Sequence, residues 1–373
     1  MKVLHVITSL RTGGAERLVT DLLPRFRDNG LDASLMLFDG TETPYLAEVR
    51  GAGIPVCSLS RGRRAMHDPL LSFSLAAHLR RHRYDIVHTH NTSCQLLAAM
   101  ASRSARNILV TTEHNTSNRR RGWGWYAPVD RWMYGRYDRI ICVGEETERA
   151  LNAYIPSTGR KTVVVHNGID RDRIRDAAPS EDVRGIEGFR ILMVAAFRAQ
   201  KDHATLIRAM RSLPERYTLL LAGGAETRED ERTMRECVAL SESLGLQDRV
   251  RFLGVRHDVP GLMAASDVLV LSSHYEGNPL SALEAMSSGK PVIASDVPGL
   301  SPVVGGAGLL FPCGEEEILA GLIRNVCEDD AEASRVAEAC RLRSEEYDID
   351  RTARSYMEVY SELFNNNPIC SRV

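Results

Sequence analysis

Residues 272–296 read SSHYEGNPLSALEAMSSGKPVIASD, and two glutamates in this stretch, Glu276 and Glu284, are separated by seven residues. Gly277, Asn278 and Pro279 follow the first glutamate, and the apolar Leu280, Ala282 and Leu283 lead to the second. A Ser-Ser-Gly stop and the strand-like Pro291-Val292-Ile293-Ala294 come after it. The order is loop, helix, turn, strand. Asn278 predicts the N-cap and Pro279 the first helical position. Gly289 predicts the C′ residue. Glu276 then lies in the loop before the helix, and Glu284 projects from its second turn. Were both helical, they would stand about 12 Å apart along the axis and about 80° apart in azimuth. Such carboxylates do not share a proton; they are placed to hold two ends of one elongated ligand. The amides of residues 277–281 point out of the helix start, where a phosphate binds well. The plain alternative is a surface helix with two solvated glutamates.

The same rhythm extends outward in both directions. In the first half the runs VLHVIT, DASLMLF, YDIVHTH, ILVTTEH, DRIICVG and KTVVV read as strands, with a further strand beginning at Gly53-Ile54-Pro55-Val56. Helical patterns such as AERLVTDLLPRF, SFSLAAHLRRHR and a helix from about Cys94 to Arg103 lie between them. Short apolar strands alternating with helices predict a parallel sheet covered on both faces. The rhythm breaks at 167–188, NGIDRDRIRDAAPSEDVRGIEG, which reads as an interdomain linker. It restarts with FRILMVAAF, YTLLLAGG, RVRFLG, DVLVLSS, PVIASD and GLLF. The fold class is therefore α/β, with two doubly wound, Rossmann-like parallel-sheet domains expected to face a deep cleft. The expected boundaries are 1–168, 169–349, and a final helix with tail, 350–373, crossing back towards the first domain.

A chain of 373 residues suits two domains, and 43% hydrophobic with 26% charged residues is ordinary for a soluble globular protein. No apolar run is long enough to span a bilayer. The start, MKVLHVITSLRTGG, lacks a signal-peptide core, so a cytoplasmic location is expected. The eight cysteines are scattered, without a CxxC pair, and are expected to be buried reduced thiols. Residues 1–170 carry 23 Lys and Arg against 16 Asp and Glu, while the remainder carries 24 against 33. The arginine clusters at 61, 63 and 64, at 80, 81 and 83, and at 119–121 suit phosphate or peripheral contact with an anionic membrane. All three tryptophans lie in WGWYAPVDRWMY, 123–134, which suits a membrane interface or a lipid acceptor. No nucleic-acid motif is present, and no nucleic-acid partner is expected.

The string EGNP…LEAM…GKPVIASD resembles the Glu-x7-Glu signature of the retaining glycosyltransferases of family four, which have the GT-B fold. The resemblance implies that Glu284 holds the ribose of a nucleotide-diphosphate-sugar donor. It also implies that Glu276, with the backbone of Gly277, Asn278, Pro279 and Leu280, lies at the diphosphate and the donor sugar. Arg198 and Lys201, in FRAQKDHATLIRAM, resemble the family's cation pair that neutralises a leaving diphosphate. The arginine is often found where this chain has Ala196, so Arg198 stands two positions late. Gly13 and Gly14, in LRTGGAERL, join the first strand to the first helix, where missing side chains let the backbone approach an anion. His114 matches a family histidine at the donor sugar. Gly254 lies where the family passes the nucleotide base, and Asn167-Gly168 stands at the domain junction. In place of a Gly-Gly pair and a further glutamate the chain has Pro298-Gly299 and Pro302, so no third carboxylate is assigned.

The activity so implied is transfer of a sugar from a nucleotide diphosphate to an acceptor hydroxyl of a glycan or lipid-linked acceptor, with retention of configuration. Cell-surface polysaccharide or glycolipid assembly is the expected setting. Arg198, Lys201, His114 and Glu276 are the catalytic candidates, and no protein nucleophile is assigned. His88 and His90 offer two metal nitrogens, but the pair needs further ligands and the sequence shows none. No DxD-type motif occurs in a suitable loop, so neither a metal nor another cofactor is expected. The alternatives are a nucleotide-sugar epimerase of the same fold and a non-catalytic sugar-nucleotide-binding protein.

Overall fold

The computed structural model describes residues 1–59, 68, 70–102, 107–116, 121 and 123–366. They form two compact units, one of Met1–Gly168 together with the segment from Ile349, the other of Ile169–Asp348. In the first unit, seven strands run β1 (Lys2–Ile7), β2 (Asp32–Leu37), β3 (Val56–Ser58), β4 (Ile86–His90), β5 (Ile108–Glu113), β6 (Arg139–Cys142) and β7 (Thr162–Val164). The sheet is wholly parallel, in the order β3-β2-β1-β4-β5-β6-β7. In the second unit, β8 (Phe189–Val194), β9 (Tyr217–Ala222), β10 (Val250–Gly254), β11 (Val268–Leu271), β12 (Val292–Ser295) and β13 (Leu309–Phe311) form a parallel sheet ordered β10-β9-β8-β11-β12-β13. The expected α/β class with two doubly wound, Rossmann-like sheets is what forms.

Both orders reverse direction once, between β1 and β4 and between β8 and β11. In an open parallel sheet these reversals leave a crevice beyond the carboxyl ends of the strands, where ligands bind. The loops after β1, β4, β8 and β11 hold Gly13, Asn91, Lys201 and Glu276, so the motifs of the sequence fall at these edges within each unit.

Strands covered on both faces need side chains that tolerate full burial. Val87, Leu4, Val6, Met36, Leu109 and Ile140 fill one core of the first unit. Ile191, Met193, Leu219, Val268, Ile293 and Phe311 fill that of the second. Truncating any of these to alanine costs about 2–5 kcal/mol. Strands β4 and β5, IVHTH and ILVTTE, are fully buried yet carry two histidines, threonines and a glutamate. Polar groups survive such burial only when hydrogen-bonded, and here they build a network described below.

The final helix, Ile349–Asn365, belongs to the first unit. Its buried positions, Ile349, Thr352, Ala353, Tyr356, Val359 and Tyr360, recur at helical spacing along one face. Phe26 of the helix Gly14–Asp28 packs against Tyr356 and Tyr360 with ring centroids 6.2 and 6.0 Å away.

Four expectations are corrected. The segment 167–188 is not an open linker: Arg171–Arg175 and Glu181–Arg184 are short helices inside the second unit, the first capped by Asp170, whose carboxylate accepts from Arg173 N, the second starting after Ser180, whose hydroxyl donates to Asp258 rather than capping it. Their signal is a polar residue before each start, too brief to stand out by periodicity. The helix expected from Cys94 begins at Thr92 and ends at Ala101; Arg103 lies outside the described residues. Cysteines 94, 142, 237, 327 and 340 are buried, but Cys313 is exposed and Cys57 half-buried, while Cys370 lies outside the described residues. Arg121 is turned inward, paired with Glu113 at 3.2 Å, so it adds nothing to a basic surface. Arg80, Arg81 and Arg83 are exposed; Arg61, Arg63, Arg64, Arg119 and Arg120 lie outside the described residues.

Candidate active site

The loop after β11 turns back on itself through side-chain hydrogen bonds. Glu276 is 6% exposed. Lys201 Nζ meets its Oε1 at 2.5 Å, Ser273 Oγ donates to the same oxygen at 2.6 Å, and Gln200 Nε2 reaches Oε2 at 3.4 Å. Gln200 also donates to Tyr275 O at 2.6 Å, and His274 N donates to Gln200 O at 2.8 Å. The loops after β8 and β11 are thereby laced together, which brings Lys201 and Glu276 into one partly buried ion pair. A cation held so beside a carboxylate is pre-placed for a phosphate, because its rotamer is already fixed. The Arg198 side chain is exposed and joins no ion pair among the described residues; its backbone N donates to Ala196 O at 2.7 Å and its carbonyl accepts from Lys201 N at 2.8 Å.

The helix that follows spans Leu280–Ser287, one residue later than expected. Pro279, with ψ 118, is extended and acts as N-cap, so Asn278 is not the cap and Pro279 is not the first helical residue. A proline offers no side-chain acceptor, and no side-chain cap closes this helix start. Its first amides thus keep their capacity for an outside acceptor. Asn278, Pro279 and Leu280 are buried, whereas Gly277 is half-exposed. Gly289 ends the turn at φ 72, in the left-handed region, as expected of a C′ glycine.

Glu284 does sit in the second turn, and it does not touch Glu276's partners. Its Oε1 accepts from Arg173 Nη2 at 2.8 Å. Arg173 is the residue that sequence reasoning missed, because it lies in the segment taken for a linker. Gly254 ends β10 at φ 67, and its carbonyl accepts from Gly223 N at 2.9 Å. Pro298-Gly299, a departure from the family pattern, has a local reason. Gly299 adopts φ 88, Pro298 O accepts from Glu276 N at 3.3 Å, and a Cβ on Gly299 would stand 2.2 Å from the Glu276 carbonyl oxygen. Pro302 lies in the short helix Ser301–Val304 and supplies no carboxylate.

In the first unit, His114 lines a small hollow with Asn91, Thr92, Gln95, Thr112, Glu113 and Asn115. Asn91 takes φ 72, unusual for a side-chain-bearing residue, and its amide donates to Thr8 Oγ1 at 3.1 Å and Glu16 Oε1 at 3.2 Å. Glu16 in turn crowds Gly13, where a Cβ would meet its carboxylate at 2.2 Å. Gly14 is the exposed first residue of the helix Gly14–Asp28. Trp123, Trp125 and Trp132 are 52%, 70% and 42% exposed, with the first two stacked at 5.9 Å.

Beneath His114 lies a buried histidine cluster. His5 pairs with His88 in the β1–β4 register, and the nitrogens of His5, His88 and His90 fall within 4.8 Å of one another. The sequence showed no third partner for His88 and His90 because β1 and β4 become neighbours only through a crossover. The His5 and His88 rings are tilted by 31°, and His90 lies near-parallel to both, at 15° and 19°. Five of the six ring nitrogens already have hydrogen-bond partners: His88 with Thr112 Oγ1 at 2.8 Å and Tyr360 Oη at 2.5 Å, and His90 with His5 at 3.1 Å and His114 at 3.2 Å. Burial pushes His5 down to about 3 and His114 to about 4; His88 and His90 are held well below the usual imidazole range by burial and then by neighbouring histidine charge.

Residues 12–173 match the sequence family described as Glycosyltransferase Family 4, and residues 180–343 match that described as Glycosyl transferases group 1. The chain is 27% identical to the UDP-Gal:alpha-D-GlcNAc-diphosphoundecaprenol alpha-1,3-galactosyltransferase of Escherichia coli, over 80% of each chain. It is 24% identical to the lipopolysaccharide core biosynthesis glycosyltransferase LpsD of Rhizobium meliloti, over 98% of each. The crystal structure of Anabaena Alr3699/HepE in complex with UDP-glucose superposes with a TM-score of 0.82 at 25% identity, covering 97% of this chain and all of the other. Its two parallel sheets, its Glu-x7-Glu helix and these matches make the chain a member of glycosyltransferase family four, of GT-B fold.

Proposed function

We propose that this glycosyltransferase moves a sugar from a nucleotide-diphosphate donor to an acceptor hydroxyl with retention of configuration, without a metal, in the assembly of a cell-surface polysaccharide or glycolipid. The observation that carries the reading is the Lys201–Glu276 ion pair beside a helix start that no side chain caps. There the diphosphate meets a fixed cation and free amides, and the exposed Arg198 guanidinium supplies a second charge. Glu284, steadied by Arg173, takes the ribose hydroxyls; a carboxylate accepts about four hydrogen bonds, so Arg173 does not saturate it. As the bond from the anomeric carbon to the diphosphate breaks, the acceptor oxygen attacks from the same face and its proton passes to the departing phosphate. The protein contributes orientation and charge stabilisation, which suffice when the leaving group is a stabilised anion. His114 meets the donor sugar, and the backbones of Gly13, Gly14, Gly254 and Gly277 allow close approach.

The acceptor class and the setting rest on the relatives that act on a diphosphoundecaprenol-linked sugar and in lipopolysaccharide core biosynthesis. Among the described residues no helix is long and apolar enough to cross a membrane. The exposed tryptophans and Arg80, Arg81 and Arg83 support peripheral contact with an anionic membrane, checked by flotation with anionic vesicles. Glu284→Ala and Lys201→Ala, assayed for donor turnover, test the site: wild-type turnover in both variants rejects it. Full activity in excess chelator is expected; loss restored by manganese rejects metal independence.

A further inference from the structure

The histidines behind His114 have no part in the transfer as described above. His114 Nε2 meets His90 Nδ1 at 3.2 Å, and His90 Nε2 meets His5 Nδ1 at 3.1 Å. His90 and His5 are 0% and 1% exposed, and burial keeps all three rings neutral. A neutral imidazole has one nitrogen that donates and one that accepts. Two hydrogen bonds among three such rings can both be made in only two ways. In one, His5 donates to His90, His90 donates to His114, and His114 turns an Nδ1–H outward. In the other every proton is shifted: His114 donates inward, its Nδ1 is a bare acceptor, and His5 carries its proton on Nε2. His5 Nε2 is buried with no partner, on a ring stacked against Phe26 at 5.3 Å and 21°. A buried N–H without an acceptor is rarer in folded proteins than an under-used lone pair. The first arrangement avoids it.

We infer that His5 and His90 are positioning residues that lock His114 in the Nδ1–H form, so that its remaining edge donates to an oxygen of the donor sugar or diphosphate. The tautomer follows from the geometry of three buried neutral rings; what His114 donates to rests on the function proposed above. Negative charge on the diphosphate favours the same direction, since it calls for a donor.

The test reads the tautomer directly, by two-bond proton–nitrogen correlation of the full-length protein labelled with 15N-histidine at neutral pH, His114 being assigned from its missing signals in His114→Gln. The expected result is a wild-type His114 protonated at Nδ1. In His5→Phe, which keeps the stack on Phe26 but removes the donor, His114 becomes a mixture of tautomers and kcat falls about fivefold, the worth of one hydrogen bond, with donor KM within twofold. In His5→Asn, whose amide nitrogen reaches the place of Nδ1, the single tautomer and kcat return. A wild-type His114 protonated at Nε2 or present in both forms overturns the inference, and that result needs no variant to fold. An unchanged tautomer in a folded His5→Phe overturns it too, since His5 then serves packing only. Wild-type transfer by His114→Gln, with the lock intact, rejects instead the donor-site role of His114.

Discussion

Replacing Lys201 with methionine keeps most of the stem, removes the charge, and leaves Glu276 without its cation. The side chains of Lys201 and Glu276 are 17% and 7% exposed. Breaking a fully buried ion pair by removing one partner costs about 3–5 kcal/mol. Here Ser273 and Gln200 stay on the carboxylate and solvent reaches the site, so about 2 kcal/mol is expected. For a unit of this size that lowers Tm by roughly 4–8 °C. Binding loses a comparable amount, because a charge-assisted hydrogen bond to phosphate is worth about 1.5–3 kcal/mol, and Kd for UDP should rise about 10- to 100-fold. Calorimetric titration with UDP, the nucleotide bound by the Anabaena neighbour, reads the second quantity, and differential scanning calorimetry the first. Adding Glu276→Gln removes the stranded charge, so the double variant regains stability without regaining nucleotide affinity. A Lys201→Met protein that binds UDP within twofold of wild type, in a chain whose wild type binds it, refutes the assignment of Lys201 to the diphosphate.

Other expectations follow from single observations. Gly299→Ala places a Cβ against the Glu276 carbonyl at φ 88; both must shift, and donor turnover should fall about 5- to 150-fold for roughly 1–3 kcal/mol of strain. Arg173→Met should weaken donor binding by about 1 kcal/mol, through a less steady Glu284, and an unchanged donor KM speaks against that support. His5 has a folded-state value lowered to about 3 against 6.5 in the unfolded chain, so its stabilising effect is complete above pH 6.5 and declines as pH falls towards 3. Between pH 7.5 and 5.5 this one residue should cost about 1.4 kcal/mol, and urea unfolding of His5→Phe should show a pH dependence smaller by that amount.

Much of this was legible before any coordinates. Apolar strand runs alternating with helices fixed the class, because a strand that pairs in parallel must bury both faces. Glu276 and Glu284 were separable by spacing alone, since a helix start lies between them. Local signals misplaced smaller things. Asn278-Pro279 satisfies the usual cap statistics, yet Pro279 turns extended, its preceding loop being tied to Lys201 and Pro298. Arg173 stayed hidden in a polar segment with too few residues for any period to show.

What the sequence determined by itself is what repeats along the chain: strand, turn, helix, and the residue types that end each one. Tertiary structure decided what crossovers bring together. His5 and His90 are 85 residues apart, Lys201 and Glu276 are 75, and Glu284 and Arg173 are 111. Each meeting depends on which strands become neighbours where the sheet order reverses. That choice is made by packing helices onto both faces of a sheet, so it belongs to the whole unit, and no local stretch of sequence records it.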